Sequence, residues 1–230
     1  GNGGTTTYQN CRVANLQGDS NKANQTASEG SIVMVYGASS YKNTRHVIEN
    51  IWAHDSRTDA IRLIGAEDCI VKGCIIWNAG GTAFGIFTSS QYNTIHGNVA
   101  FSNAYGVYDN NGNYNTVSGN VFRNNTYGVY LTGAWRYTIS GNVFFTQTNY
   151  DFYGIGCQRC SFVGNQCYGS SWSVVLGNSA NITQNNVISG NVFAWQSTYG
   201  VALYYGSGGT MKNTVSGNSF YGQGQSAIYI

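Results

Sequence analysis

Apolar and polar positions alternate along most of this chain, and the alternation returns on a period of a little over twenty residues. The clearest copy is Asn115 to Leu131, NTVSGNVFRNNTYGVYL. Its skeleton is N-T-Φ-x-G-N-x-Φ, a short polar turn, then G-Φ-x-Φ, where Φ is apolar. The first half recurs as HVIEN, CIVKGC, NTIHGN, NTVSGN, YTISGN, SFVGN, VISGN and NTVSGN. Aligned, these copies put Asn50, Cys74, Asn98, Asn120, Asn142, Asn165, Asn191 and Asn218 in one column, at intervals of 24, 24, 22, 22, 23, 26 and 27 residues. A fixed period in this range marks a solenoid. Each interval has room for three short strands and three turns and none for a helix, given strands of about 5 residues. The pattern therefore predicts an all-β fold, a parallel β-helix of eight to nine coils, counting the eight copies and a degenerate first coil over Tyr8 to Leu16.

Side chains in a strand switch faces at every residue, so the alternation also assigns the core. Four inward columns are expected. One is Val71, Ile95, Val117, Ile139, Phe162, Ile188 and Val215; the second is the Asn column. The third is Trp52, Ile76, Ala100, Phe122, Phe144, Cys167, Phe193 and Phe220. The last is Ile61, Ile86, Val107, Val129, Val174, Val201 and Ile228. A buried amide without partners costs about 1–3 kcal/mol, so the Asn column is expected to form a ladder in which each amide bonds the next coil. Asn120 and its equivalents are thus read as structural.

Composition agrees. The chain of 230 residues contains no proline, which would break a ladder bond in any interior strand. It is 42% apolar and 14% aromatic, which excludes disorder, and it reads as one elongated domain over 1–230, irregular over 1–44 and regular over 45–230. Only 9% of residues are charged, for a net +2, and no basic cluster points to nucleic acid. No apolar run is long enough for a membrane-spanning helix. Six cysteines, with Cys157 and Cys160 in a C-x-x-C, read as local disulfides or buried thiols, since no second ligand pair completes a metal site. No cofactor is expected. Asn24, Asn124 and Asn181 head glycosylation sequons, which arise readily by chance in so Asn-rich a chain. The chain stops in a strand, SAIYI, and an open solenoid end suggests either further sequence or end-to-end assembly as a homo-oligomer.

The N-T-Φ-x-G-N repeat with G-Φ-x-Φ, over Arg45 to Ile230, resembles the parallel β-helix repeats of the pectin-lyase-like superfamily, including its carbohydrate-binding and sugar-hydrolase type of domain. The resemblance implies a right-handed, single-stranded β-helix, an extracellular, periplasmic or virion setting, and a polysaccharide or cell-surface glycan as partner. It carries no catalytic motif of any one branch, and this architecture hosts many functions.

Chemistry must then sit on outward columns. The residue before the G of G-N reads Glu49, Lys72 and His96 in consecutive coils. As a site, these three would abstract a proton beside a uronate carboxylate; as structure, they are a solvated charge ladder. The x of G-Φ-x-Φ reads Arg62, Phe87, Tyr108, Tyr130 and Tyr153, a candidate platform for sugar rings with Arg62 for an acidic group, or rings that merely stabilise adjacent strands. The cluster His54, Asp55, Arg57 and Asp59 offers carboxylates for glycoside hydrolysis, but turn chemistry accounts for Asp55. Calcium on Asp55, Asp59 and Asp109 is not supported by so few and scattered carboxylates. Two functions follow: a carbohydrate-binding or structural module of adhesin or fibre type, or a polysaccharide lyase, C5-epimerase or glycoside hydrolase. The regular coils from 98 to 165 leave no long loops for a cleft and favour the first.

Overall fold

The computed structural model of the chain describes residues 9–21, 23, 30–37, 43–177, 182–204 and 210–230. The sequons at Asn24 and Asn181 and the start of the first coil at Tyr8 lie outside them. Every paired strand is parallel, and the chain winds as a right-handed β-helix, as the period requires. Nine strands, one per coil, stack in register as one sheet from Val33–Tyr36 to Ile228–Tyr229. The other two faces of the coil form one 16-stranded sheet, because Val47–His54 runs unbroken through the bend and pairs with Ile70–Lys72 on one face and Ile75–Trp77 on the other. In later coils a left-handed glycine, such as Gly119 at φ 63°, separates the two faces.

The ladder predicted at Asn120 is present. Asn98, Asn120, Asn142, Asn165 and Asn191 are buried, and each Oδ1 accepts the backbone N–H of the residue one coil before it and, from Asn120 on, that residue's side-chain N–H as well, at 2.8–3.1 Å; Cys74, one coil before Asn98, supplies its backbone N–H alone. Two further ladders run through the other turns. One contains Asn93 and Asn115 and resumes at Asn186; the other contains Asn103, Asn125 and Gln147. Each turn would otherwise bury unpaired amides.

Three column assignments are corrected by register. Ile51, fully buried, occupies the place given to Asn50, which is exposed and takes the left-handed bend at φ 53°. Ala53 rather than Trp52 pairs with Ile76, so Trp52 faces outward at 49% exposure. Phe84, not Ile86, pairs with Ile61 and Val107. In the last case the G-I-F of residues 85–87 imitates the G-V-Y of other coils, while the extra residues of this longer coil fall on both sides of the strand.

The G of G-V-Y has a packing reason. A β-carbon on Gly106 would fall 2.4 Å from Cδ1 of Phe122, and one on Gly128 2.5 Å from Cδ1 of Phe144. The ring fills the space that the glycine vacates. One coil on, Asp151 replaces the glycine and the facing ring becomes Cys167, so a larger group is matched by a smaller one. Two successive inward residues, Gly106 and Val107, break the alternation and turn both Tyr105 and Tyr108 outward.

All six cysteines are free thiols, five of them buried. Sγ of Cys157 and of Cys160 donate to the carbonyls of Leu131 and Ala134 at 3.6 and 3.7 Å.

Candidate functional site

The outward residues of the nine-stranded sheet form two adjacent aromatic columns. Tyr108, Tyr130 and Tyr153 stand in register, as do Tyr105, Tyr127, Tyr150 and Trp172. Along the columns, Tyr105 to Tyr127 is 5.1 Å between ring centroids at 17°, and Tyr130 to Tyr153 is 5.0 Å at 23°. Across them, Tyr150 to Tyr153 is 4.8 Å at 29°. Each central ring therefore shares its faces with neighbours, and the surface offers ring edges, phenolic hydroxyls and the faces at the rim. Half-burial among other rings raises the pKa of Tyr130 to about 12, with Tyr153 and Tyr108 adding to the effect, so this hydroxyl is a hydrogen-bonding group and not a base. The second column was not singled out in the sequence; the Y-G-V-Y spacing of three, abnormal for a strand, was its signal.

Register gives the place between Arg62 and Tyr108 to Gly85 and moves Phe87 two residues along. The ring of Phe87 nevertheless leans back over Gly85, where a β-carbon would meet its Cε2 at 2.5 Å. It lies 5.6 Å from Tyr108, and the Arg62 guanidinium sits 4.8 Å above it. Space restores the row that register interrupts. Beside it, buried Asp59 places Oδ2 3.5 Å from Nε of Arg62 and accepts the Thr82 N–H at 3.1 Å; burial, more than these partners oppose it, raises its pKa. The platform thus ends on a paired acid and guanidinium.

Glu49, Lys72 and His96 are brought together, since Glu49 pairs with Lys72 and Lys72 with His96 in successive coils, lining a shallow open dish. Within it the carboxylate of Glu49 is held by Nζ of Lys72 at 3.0 Å and by Arg12. Hydrogen bonds from Lys72 and then Arg12 lower its pKa, which keeps it ionised. His96 is exposed.

His54, Asp55 and Asp59 do not converge. Asp59 belongs to the tyrosine sheet, while His54 Nδ1 lies 2.8 Å from Asp55 Oδ2 and 3.8 Å from Asp19 Oδ1 on another face. Asp55 occupies a left-handed turn, φ 55°, and Asp109 is deep in the core, so the three aspartates considered for calcium are apart.

The sequence pattern of the family described as periplasmic copper-binding protein (NosD) matches residues 36–230. The chain belongs to the NosD family. No curated protein sequence matches it. Among solved structures, this NosD-family chain is similar to the A-module of mannuronan C-5 epimerase AlgE4 of Azotobacter vinelandii, with TM-score 0.71 and 15% identity over 98% of this chain and 73% of that one. PfbA, a surface adhesin of Streptococcus pneumoniae, gives TM-score 0.66 and 14% identity over 96% and 70%. The catalytic unit of a GH87 alpha-1,3-glucanase from Streptomyces thermodiastaticus gives 0.60 and 12% over 82% and 46%. At these identities the likeness shows the fold alone, a fold that two enzymes and an adhesin share.

Copper, the ion in the NosD description, does not fit the donors of this chain. Soft thiolate and thioether ligands select Cu(I). Here five thiols are inside the coils, and burial pushes those of Cys69, Cys74 and Cys167 up, which keeps them protonated. Cys11, Met34 and His46 line one groove, but Nδ1 of His46 accepts the Cys11 N–H at 3.2 Å, which places the ring proton on Nε2 and leaves neither nitrogen ready for a metal. Among the described residues, His, Cys, Asp and Glu gather three ligating atoms only at Asp19, His54 and Asp55, a set dominated by hard oxygens. Also among them, no helix is long and apolar enough to cross a membrane.

Proposed function

We propose that this chain is a carbohydrate-binding β-helix module of adhesin or fibre type, working outside the cytoplasm at a cell or virion surface, and that it holds a polysaccharide across the tyrosine face. The observation that carries this reading is the double column of half-exposed tyrosines over three successive coils. Rings supply contact area at low entropic cost, and their hydroxyls meet sugar hydroxyls at each coil, about 5 Å apart along the axis. Arg62, Phe87, Tyr108, Tyr130 and Tyr153 form one row of that face, and Tyr105, Tyr127, Tyr150 and Trp172 the other. The surroundings of the chain's structural neighbours, a surface adhesin among them, and the periplasmic setting of its family support the location.

The enzymatic alternative, a lyase, epimerase or hydrolase using Glu49, Lys72 and His96, has less support. Glu49 is ion-paired on two sides, so it is a poor proton carrier, and the dish around the three is open to water where proton abstraction favours exclusion of water.

One experiment separates the two. The chain is presented with neutral and uronate polysaccharides, and both retention and unsaturated or reducing-end product are read. Retention without product, abolished by Tyr108→Ala plus Tyr130→Ala, is expected. Product that disappears in Lys72→Ala would overturn the binding reading.

A further inference from the structure

Four columns of turn residues run in the left-handed backbone region, and one differs from the others. Gly73, Gly97, Gly119, Gly141, Gly164 and Gly190 form the first; Asp55, Asn78, Ser102, Asn124 and Thr146 the second; Gly65, Asn111, Gly133 and Gly156 the third. Apart from Trp195, which continues the second column at φ 58°, these are the glycines and small polar residues that the conformation favours. The fourth runs from Arg45 (φ 59°) to Lys212 (φ 54°), and over four successive coils it holds Tyr92, Tyr114, Arg136 and Arg159 at φ 55–57°. Large side chains stand here against the preference of the backbone, and strain of that kind is kept where the side chain is needed.

These side chains form one continuous surface with Trp135 of the adjoining column. Tyr92 and Tyr114 stack with centroids 4.9 Å apart at 25°, and Trp135 meets Tyr114 edge-on at 5.1 Å. The Arg136 guanidinium lies 4.3 Å over Trp135 and 5.5 Å over Tyr114, and that of Arg159 lies 5.8 Å from Trp135. Both arginines are exposed. A groove of about 460 Å³ runs beside them, lined by Asn111, Thr132, Gly133, Gly156 and Gln158.

Charge selects the ligand. From residue 69 to 230 the chain has five Lys and Arg, namely Lys72, Arg123, Arg136, Arg159 and Lys212, and two acids, Asp109 and Asp151. Both acids are fully buried, so the surface of these coils carries no carboxylate side chain; the exposed Asp68 of the same column lies one coil before Tyr92, three coils from Arg136 and four from Arg159. Guanidinium groups lying on aromatic rings are weakly hydrated and present flat forks to oxyanions.

We propose that the Tyr92–Tyr114–Arg136–Arg159 column, with Trp135, binds an acidic polysaccharide, its carboxylate or sulfate groups on the two arginines and its sugar rings against the aromatic side chains. The glycan class rests on the function proposed above; the negative charge rests on the residues of this face alone.

The test is affinity electrophoresis of the full chain in gels containing polygalacturonate, its methyl ester, dextran sulfate or dextran. Arg136→Asn plus Arg159→Asn removes both charges and installs a residue at home in the left-handed region, so the melting temperature holds or rises and lost binding is not a folding defect. The acidic polymers are expected to be retained roughly tenfold more tightly than their uncharged counterparts, to lose that advantage in the double asparagine variant, and to weaken with added salt. Equal retention of the methyl ester, or acidic retention unchanged in the asparagine variant, would overturn the proposal. Loss in Tyr108→Ala plus Tyr130→Ala alone would leave the tyrosine face standing and this column refuted, and loss in the asparagine variant alone the reverse. Retention of a single-stranded oligonucleotide with no retention of any glycan would overturn both.

Discussion

Gly128 lies against the ring of Phe144 so closely that a β-carbon would fall 2.5 Å from Cδ1, and the carbonyl oxygen of Asp151 is 2.6 Å from the same point. Gly128→Ala is therefore expected to destabilise the chain by about 1–3 kcal/mol, the cost of overpacking a filled core. Because Gly128 is also what lets Tyr127 and Tyr130 face outward together, the variant is expected to lose glycan retention at temperatures where it is still folded. Chemical denaturation and retention measured on one preparation check both effects.

Asn120 is the middle rung of a ladder with four bonds. Its Oδ1 accepts from the N and Nδ2 of Asn98, and its Nδ2 donates to Ile95 O and Asn142 Oδ1. Asn120→Ala leaves several buried groups unpaired and is expected to cost about 3 kcal/mol, with each unpaired group worth about 1–3. Thr138→Ala, on an exposed strand position, is the control and is expected to cost less than about 1 kcal/mol.

Stability is expected to fall as pH rises from about 4 to about 7. Burial raises the carboxyls of Asp109 and Asp151 to about 7, against the hydrogen bonds from Tyr137, Gly112 and Asn115 in one case and from Ser170 in the other. Both hold protons more tightly folded than unfolded, so their contribution is full below the unfolded value near 3.8 and is lost as pH rises through about 7. Glu49 acts in the opposite sense, losing its contribution as pH drops below 4.5 and through its lowered folded value. Denaturant midpoints measured across pH 3–8 test this, and Asp109→Asn with Asp151→Asn should flatten the decline between pH 4 and 7.

Tyr105, Tyr108, Tyr130, Tyr150 and Tyr153 should ionise late. Absorbance titration is expected to show a class of phenols above the ordinary value of 10, with Tyr130 near 12, and Tyr130→Phe should remove one member of that class. A saturating glycan ligand is expected to delay the class further by covering it.

Much of the fold was legible because a β-helix repeats one local solution. The Asn120 ladder, the Phe122 and Phe144 stack and the Val117 column follow from spacing and alternation, and the structure keeps them. The errors fall where coils change length. Asn50, Trp52 and Ile86 were each displaced because an alignment must put an inserted residue somewhere, and only hydrogen-bond register decides where. Phe87 shows the limit from the other side: its register was misread, yet its ring occupies the assigned place because Gly85 leaves room for it.

The sequence by itself determined the architecture. A period near 22 residues, strict alternation and absent proline admit few other ways to pair the backbone and bury the apolar columns. It also contained the residues of the candidate surfaces, Arg62, Tyr108, Tyr130 and Tyr153 among them. What only the tertiary structure decided is which outward columns become neighbours and what they do to each other. Tyr105 and Tyr108 join in one face because Gly106 makes way for Phe122; Glu49 is neutralised by Arg12, 37 residues earlier; and Arg136 meets Trp135 and Tyr114 across two coils. Such contacts depend on stacking distances between coils, which are set by the closed backbone ladder and are not written in any single repeat.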